Sequence, residues 1–287
     1  MKFSNGNISL AYDRRGQGAP LILIHGFPLD HSIWDEVTSL LAPTFELILP
    51  DLRGFGESVS PAPVWTITDL AADVASLLDH LGIESAFLAG HSMGGYVALA
   101  FAQAYPNRVR GLALVASQTA ADTPEKREGR FAQARQIAED GIGETVAGMT
   151  PKLSPDARVQ KFVHDLMRKQ KAAGYIGSLK AIAERADTLS VLEEASFPVL
   201  IVHGGADGLI PLQREIQAKI PRARVVELPG LGHMPMMESP QQVADALKSL
   251  SSRHENTFSP SSMKICYKRR TRLTQRLFLI WCHEPDQ

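Results

Sequence analysis

Three observations predict an α/β fold. Short, wholly apolar runs recur along the chain, alternating with segments whose apolar residues keep helical spacing. That is the pattern of a mostly parallel sheet covered by helices on both faces. One of the apolar runs leads straight into Gly90-His91-Ser92-Met93-Gly94 and then into a helix of small residues. A charged stretch from about 118 to 195, helical in pattern, interrupts the alternation without adding a strand.

Taken in order, residues 2–13 read as an antiparallel pair with Asn5-Gly6 as its turn. Leu21-Ile22-Leu23-Ile24 and Phe45-Glu46-Leu47-Ile48-Leu49 read as buried strands. A helix over about 68–81 follows from Leu70, Val74, Leu77, Leu78 and Leu81 at helical spacing, with Gly82 where a C-terminal cap belongs. The strand Ser85-Ala86-Phe87-Leu88-Ala89 comes next, then a helix from Gly95 through Ala102 and a strand over 109–117. After the interruption, Phe197-Pro198-Val199-Leu200-Ile201-Val202 and Val225-Val226-Glu227-Leu228 are further strands. Ser239-Pro240 opens a last helix through Leu250, with serine as N-cap and proline at the first helical position.

These elements divide the chain into a core, 1–117 with 196–253, and a helical insertion, 118–195. The insertion leaves the sheet where loops gather at the C-terminal ends of strands, so it is expected to form a lid over a ligand site. Residues 254–287 differ in character, with Lys264, Lys268, Arg269, Arg270, Arg272 and Arg276 ahead of Leu277-Phe278-Leu279-Ile280-Trp281. A basic amphipathic membrane-surface segment has this composition. The sheet and its last helix are already complete before it, so a disordered or accessory tail is the expectation.

Composition sets the class. A chain of 287 residues with 44% hydrophobic and 21% charged residues can bury a large core and is ordinary for a globular protein. A net charge of -1 gives no electrostatic case for binding nucleic acid. No run of about eighteen apolar residues is present to span a membrane. The first residues lack the apolar stretch of a signal peptide, and a cytoplasmic location is the expectation. Cys266 and Cys282 are the two cysteines, so nothing before them can form a disulfide or a cysteine metal site. Oligomeric state is not legible.

The chemistry starts at Ser92. Gly-x-Ser-x-Gly alone is weak, since roughly one chain in ten of this size would contain it by chance. Its plain alternative is a glycine-rich turn with a capping serine. The strand before it and the helix after it make it a nucleophile elbow, a strained turn that lifts the serine hydroxyl clear of its neighbours. A serine hydroxyl is a poor nucleophile without a base. Of nine histidines, His233 is the candidate, because Pro229-Gly230-Leu231-Gly232-His233-Met234-Pro235 is a loop directly after the last strand. His91 adjoins the serine and is expected to face away from it, while His25 and His203 end strands and read as loop structure.

The base needs a carboxylate to fix its tautomer and to stabilise its charged form. Asp207 follows a strand within His203-Gly204-Gly205-Ala206-Asp207-Gly208, and Asp122, after the preceding strand, competes with it. The order Ser92, Asp207, His233 is the one expected for this architecture. Asp51, within Asp51-Leu52-Arg53-Gly54-Phe55-Gly56-Glu57-Ser58, reads as an organiser of its loop. Oxyanion donors are expected on the backbone N–H of Met93, after the nucleophile, and of Phe27 in His25-Gly26-Phe27-Pro28, where Pro28 has no N–H to offer. Phe27, Trp34 and Met93 are expected to supply apolar substrate wall, with core packing the equal alternative for Trp34.

Together His25-Gly26-Phe27-Pro28, the Asp51–Ser58 loop, Gly90-His91-Ser92-Met93-Gly94-Gly95, Gly204-Gly205-Ala206-Asp207 and Gly232-His233 resemble the α/β-hydrolase superfamily, in its short capped bacterial esterase and lactonase branch. The resemblance runs from about 8 to 250. It implies an eight-stranded, mostly parallel sheet and neither metal nor organic cofactor. Serine at the elbow argues against the relatives that place aspartate there. A serine carboxylesterase acting on a small-molecule ester is the expected function. Enol-lactone hydrolysis, carbon–carbon bond hydrolysis and perhydrolysis use the same triad, and a non-catalytic ligand receptor can retain it.

Overall fold

The computed structural model describes residues 1–210 and 219–255. Its strands are β1 (Lys2–Asn5), β2 (Ile8–Arg15), β3 (Ala19–Ile24), β4 (Phe45–Pro50), β5 (Ala86–His91), β6 (Val109–Val115), β7 (Val199–Gly204) and β8 (Arg224–Leu228). They form one eight-stranded sheet in the order β1-β2-β4-β3-β5-β6-β7-β8. The first two neighbour pairs are antiparallel and all the others parallel. The central strands carry apolar runs because both of their faces are covered. Leu21 to Ile24 and Ala86 to Ala89 are fully buried.

The opening hairpin turns on Gly6 and Asn7 rather than on Asn5-Gly6, since Asn5 still pairs with Ile8. Gly6 takes the positive φ of 60° that the first central position of a two-residue loop demands, so the turn sits one residue later than the Asn-Gly signal places it.

Helices α1 (Asp35–Leu41), α2 (Ile67–His80) and α3 (Met93–Ala104) join the strands of the first half. Thr66 and Asp69 cap α2 reciprocally, and its buried Leu70, Val74, Leu77 and Leu78 make one apolar stripe. Each of these side chains contributes roughly 1.5–3 kcal/mol by leaving water. The last helix, Pro240–Glu255, continues past Leu250, as no glycine or proline interrupts it there. A Cβ on Gly111 of β6 would meet Leu250 of that helix, whereas Leu114 of the same strand lies against Gly95 of α3. Positions 111 and 114 differ by an odd number, so they point to opposite faces. The C-terminal helix with α1 therefore covers one face, and α3 with α2 the other.

Between β6 and β7 the chain forms α4 (Pro124–Asp140), α5 (Gly143–Leu153), α6 (Ala157–Lys169), α7 (Ala172–Ala183) and α8 (Leu189–Glu193). Thr123 caps α4 with Pro124 in its first turn. The insertion is fastened to the core at several points. Gln170 donates to Asp30 Oδ2 at 3.0 Å and accepts the Gly56 N–H at 2.8 Å. Arg158 reaches Glu36 at 2.5 Å and the Met237 carbonyl at 2.6 Å. Gly174 lies directly on the backbone of Gly54, an approach that any side chain would block.

Strand order reverses at β3, which has β4 on one side and β5 on the other. In an open α/β sheet, ligands bind in the crevice beyond the C-terminal ends of the strands at such a reversal. Here that crevice holds the residues after Ile24 and after His91. Of the tail expected over 254–287, residues 254 and 255 belong to the last helix, and 256–287 lie outside the described residues. Among the described residues no helix is long and apolar enough to cross a membrane.

Candidate active site

Ser92 stands between the last residue of β5 and the first of α3, with φ 50° and ψ −115°. A side-chain-bearing residue at positive φ carries strain of about 1–3 kcal/mol, which the surroundings must hold. Ser92 N–H donates to Val115 O at 3.0 Å, and its carbonyl accepts the Gly95 N–H at 2.9 Å and the Ser117 hydroxyl at 2.7 Å. The flanking glycines are steric requirements. A Cβ on Gly90 would collide with the backbone of Gly94, and one on Gly94 with the carbonyl oxygens of Ile24 and His25. The start of α3 is thereby pressed onto the end of β3, beside the loop that carries Phe27. Met93 is the first residue of α3, where a backbone N–H has no acceptor within the helix.

That loop is organised by His25. Its Nδ1–H donates to Gly26 O at 2.9 Å and its Nε2 accepts the Leu52 N–H at 2.9 Å, so the ring is neutral with both nitrogens used. Burial pushes its pKa down, which keeps it so. The Phe27 ring stands edge-on to Tyr175 of α7 at 5.4 Å and to Phe55 at 6.2 Å between centroids.

His233 and Asp207 meet beyond the ends of β8 and β7. His233 Nδ1–H donates to Asp207 Oδ2 at 2.8 Å, with both side chains buried. The other carboxylate oxygen accepts the N–H groups of Leu209 and Ile210 at 2.9 and 3.1 Å. Burial alone would raise the Asp207 pKa. The bond and charge of His233 and the two backbone donors outweigh it and hold the carboxyl below its usual range. With Nδ1 committed to the carboxylate, Nε2 is the nitrogen left for chemistry. The serine's neighbour His91 lies against this imidazole, ring centroids 4.9 Å apart.

Ser92 on the strand-to-helix turn and the buried Asp207–His233 pair, which lies against the serine's neighbour His91, are thus brought to one end of the sheet. The model of the alpha/beta hydrolase family matches residues 21–246.

The chain belongs to the alpha/beta hydrolase family.

A thermophilic esterase from Thermogutta terrifontis, solved with malate bound, superposes with a TM-score of 0.83 at 34% identity, over 88% of this chain and 98% of its own. An enol-lactonase from Burkholderia xenovorans LB400 gives 0.80 at 25% identity, over 88% of this chain and 100% of its own. The dihydrolipoyllysine-residue acetyltransferase component of an acetoin cleaving system from Pseudomonas putida is 34% identical over 245 residues, 83% of this chain. The match spans only 64% of that longer relative.

Within this alpha/beta hydrolase, the remaining sequence candidates fall in different places. Asp122, the competing acid, is paired with Arg130 and with Arg185 Nη1, the latter at 2.9 Å, and makes no described bond to His233. Arg185 is itself buried, its guanidinium 4.2 Å from the Tyr96 ring centre. Trp34 does not line the cleft described below. It is fully buried in the core just ahead of α1, because its short 3-10 turn packs inward with Ile33. The Met93 side chain is also buried. Asp51 organises its loop as expected, accepting the His31 N–H and Nδ1–H and the Glu57 N–H at 3.0, 2.6 and 2.9 Å.

Asp30, His31 and Asp51 hold ligand-type atoms within 4.8 Å of one another. Those atoms already serve the loop: Asp30 accepts from Ser32 and Gln170, and Asp51 from His31 and Glu57.

A cleft of about 300 Å³ opens between the site loops and the insertion. Phe27 and Leu209 line it from the core, and Arg130, Gln133, Met149 and Lys152 from α4 and α5. Nothing in the sequence marks these insertion residues as lining. On a polar helix such as α4 a wall residue reads like any solvated one, and only the docking of the helix selects the face.

Proposed function

We propose that the chain hydrolyses carboxylic esters through an acyl-enzyme intermediate. The observation that carries this reading is the buried Asp207–His233 bond set against the elbow that presents Ser92. In this reading His233 Nε2 takes the Ser92 proton as the hydroxyl oxygen attacks the ester carbonyl. Asp207 stabilises the imidazolium that forms. The Met93 and Phe27 N–H groups hold the oxyanion, each contributing a few kcal/mol to the transition state. His233 then protonates the leaving alcohol, and the same histidine activates the water that releases the acid. The insertion acts as a cap over these groups.

The named activities of the structural relatives support this class. One is an esterase and the other acts on an enol-lactone, which is an internal ester and needs the same steps. Lactone hydrolysis is therefore the second reading. A screen of p-nitrophenyl esters of increasing acyl length, with lactones alongside, tests both. Absence of turnover with every ester and lactone would overturn the reading and favour a ligand receptor on this fold.

Two further outcomes are expected. EDTA should leave ester turnover unchanged, because no step uses an ion, and recovery of a lost rate by added divalent metal would contradict that. The rate should fall on acidification, because a protonated imidazole cannot accept the Ser92 proton. Asp207, held below the usual carboxylate range, stays ionised through that fall, so a single protonation should describe the acid limb of kcat/KM. A limb requiring two protons would contradict the assignment.

A further inference from the structure

His91 is fully buried, next to Ser92 in sequence and 142 residues from His233, yet its Nε2 lies 2.8 Å from the His233 carbonyl oxygen. A carbonyl oxygen only accepts, so Nε2 must carry the proton. Burial first, and then the neighbouring His233, pushes the His91 pKa down to about 3. A neutral ring with a proton on Nε2 leaves Nδ1 bare, and Nδ1 is without a hydrogen-bond partner in this structure. It faces Gly26, where a Cβ would stand 2.5 Å away. One imidazole thus fills the space between the loop carrying Phe27, the elbow and the His233 loop.

The His233 peptide is held from both sides. Its N–H donates to the Leu153 carbonyl at the end of α5, 2.9 Å away, and its C=O accepts from His91. The preceding Gly232 N–H donates to Glu238 Oε2 at 2.6 Å. The Asp207 bond fixes which way the ring turns, but the ring's position relative to Ser92 also depends on where its peptide sits. The described bond that refers that peptide to the elbow is the one from His91.

We propose that His91 is a positioning residue: its Nε2–H bond to the His233 carbonyl sets the location of the base relative to Ser92. This rests on the ester-hydrolase reading given above. A neutral ring suits the task, because a permanent cation at this distance would oppose the charge that His233 gains during turnover. The alternative is that His91 only fills space.

His91→Leu and His91→Gln separate the two. Leucine fills the site without a donor, whereas the glutamine amide can reach the carbonyl in place of Nε2–H. Because a displacement of the base by an ångström can cost about 100-fold, His91→Leu should lower kcat roughly 10- to 100-fold with KM little changed. His91→Gln should restore most of that rate. A space-filling role predicts the reverse order, with the apolar leucine tolerated at least as well as the glutamine. Wild-type kcat in His91→Leu, or a slower enzyme with glutamine than with leucine, would overturn the proposal.

Nitrogen-15 histidine NMR of the wild-type protein supplies a readout independent of turnover. His91 should show a protonated Nε2 and a bare Nδ1 across the pH range of the folded protein. The proton shared by His233 and Asp207 should keep its shift in His91→Gln and move in His91→Leu. A His91 with its proton on Nδ1, or charged at neutral pH, would overturn the proposal even if His91→Leu fails to fold. If the wild type cleaves no ester, the functional reading fails while these spectra still decide the role of His91.

Discussion

Ser92→Ala is expected to lower kcat for ester hydrolysis by about a million-fold, the scale seen when a serine nucleophile is removed from an intact site. The fold should survive. Alanine keeps the Cβ that Ser92 already carries at φ 50°, and the Ser92 side chain makes no cap bond whose loss would loosen α3. The bonds that hold the elbow run through the Ser92 backbone and remain. Melting temperature should therefore stay close to that of the wild type, while covalent labelling by a phosphonate disappears. Labelling of the variant at full stoichiometry would move the nucleophile elsewhere.

Asp207→Asn should cost about three to four orders of magnitude in kcat with KM nearly unchanged. An amide in place of the carboxylate can present its NH2 to His233 Nδ1. The imidazole would then keep its proton on Nε2, the nitrogen that must accept one from Ser92. The backbone donors Leu209 and Ile210 can still bond the amide oxygen, so the loop should hold its shape. Asp122→Asn is the control for the rejected acid, and it separates chemistry from stability. Asp122 balances the buried Arg185, so its loss should lower stability by roughly 3 kcal/mol, the low end of the cost of orphaning a buried partner, since asparagine keeps one acceptor. The rate per folded molecule should stay near that of the wild type. A reversed pair of results would assign the acid to Asp122.

The local devices of this chain were legible because each depends on neighbours in sequence. Leu70, Val74, Leu77 and Leu78 share a face through the helical period alone, and Thr66 with Asp69 closes the first turn of α2 through residues three apart. The glycines around Ser92 mark a turn too tight for side chains, which holds wherever the turn is placed in space. Even there, Asn5-Gly6 misplaced a turn by one residue, because glycine at the first central position outranked asparagine before it.

The sequence by itself determined the alternation of strand and helix, the tight glycine-flanked turn at Ser92, and the chain order of the proposed serine, acid and base. These follow from periodicity, turn sterics and the succession of elements along one chain. Tertiary structure decided which candidates meet. It bonded Asp207 to His233 and tied Asp122 to Arg130 and Arg185. It buried Trp34 in the core, seated α4 and α5 over Phe27, and set His91 on the carbonyl of a residue 142 positions away. Each of those outcomes depends on strand order and on how helices dock, so it is fixed by contacts between segments distant in the chain, for which no local pattern of residues carries the signal.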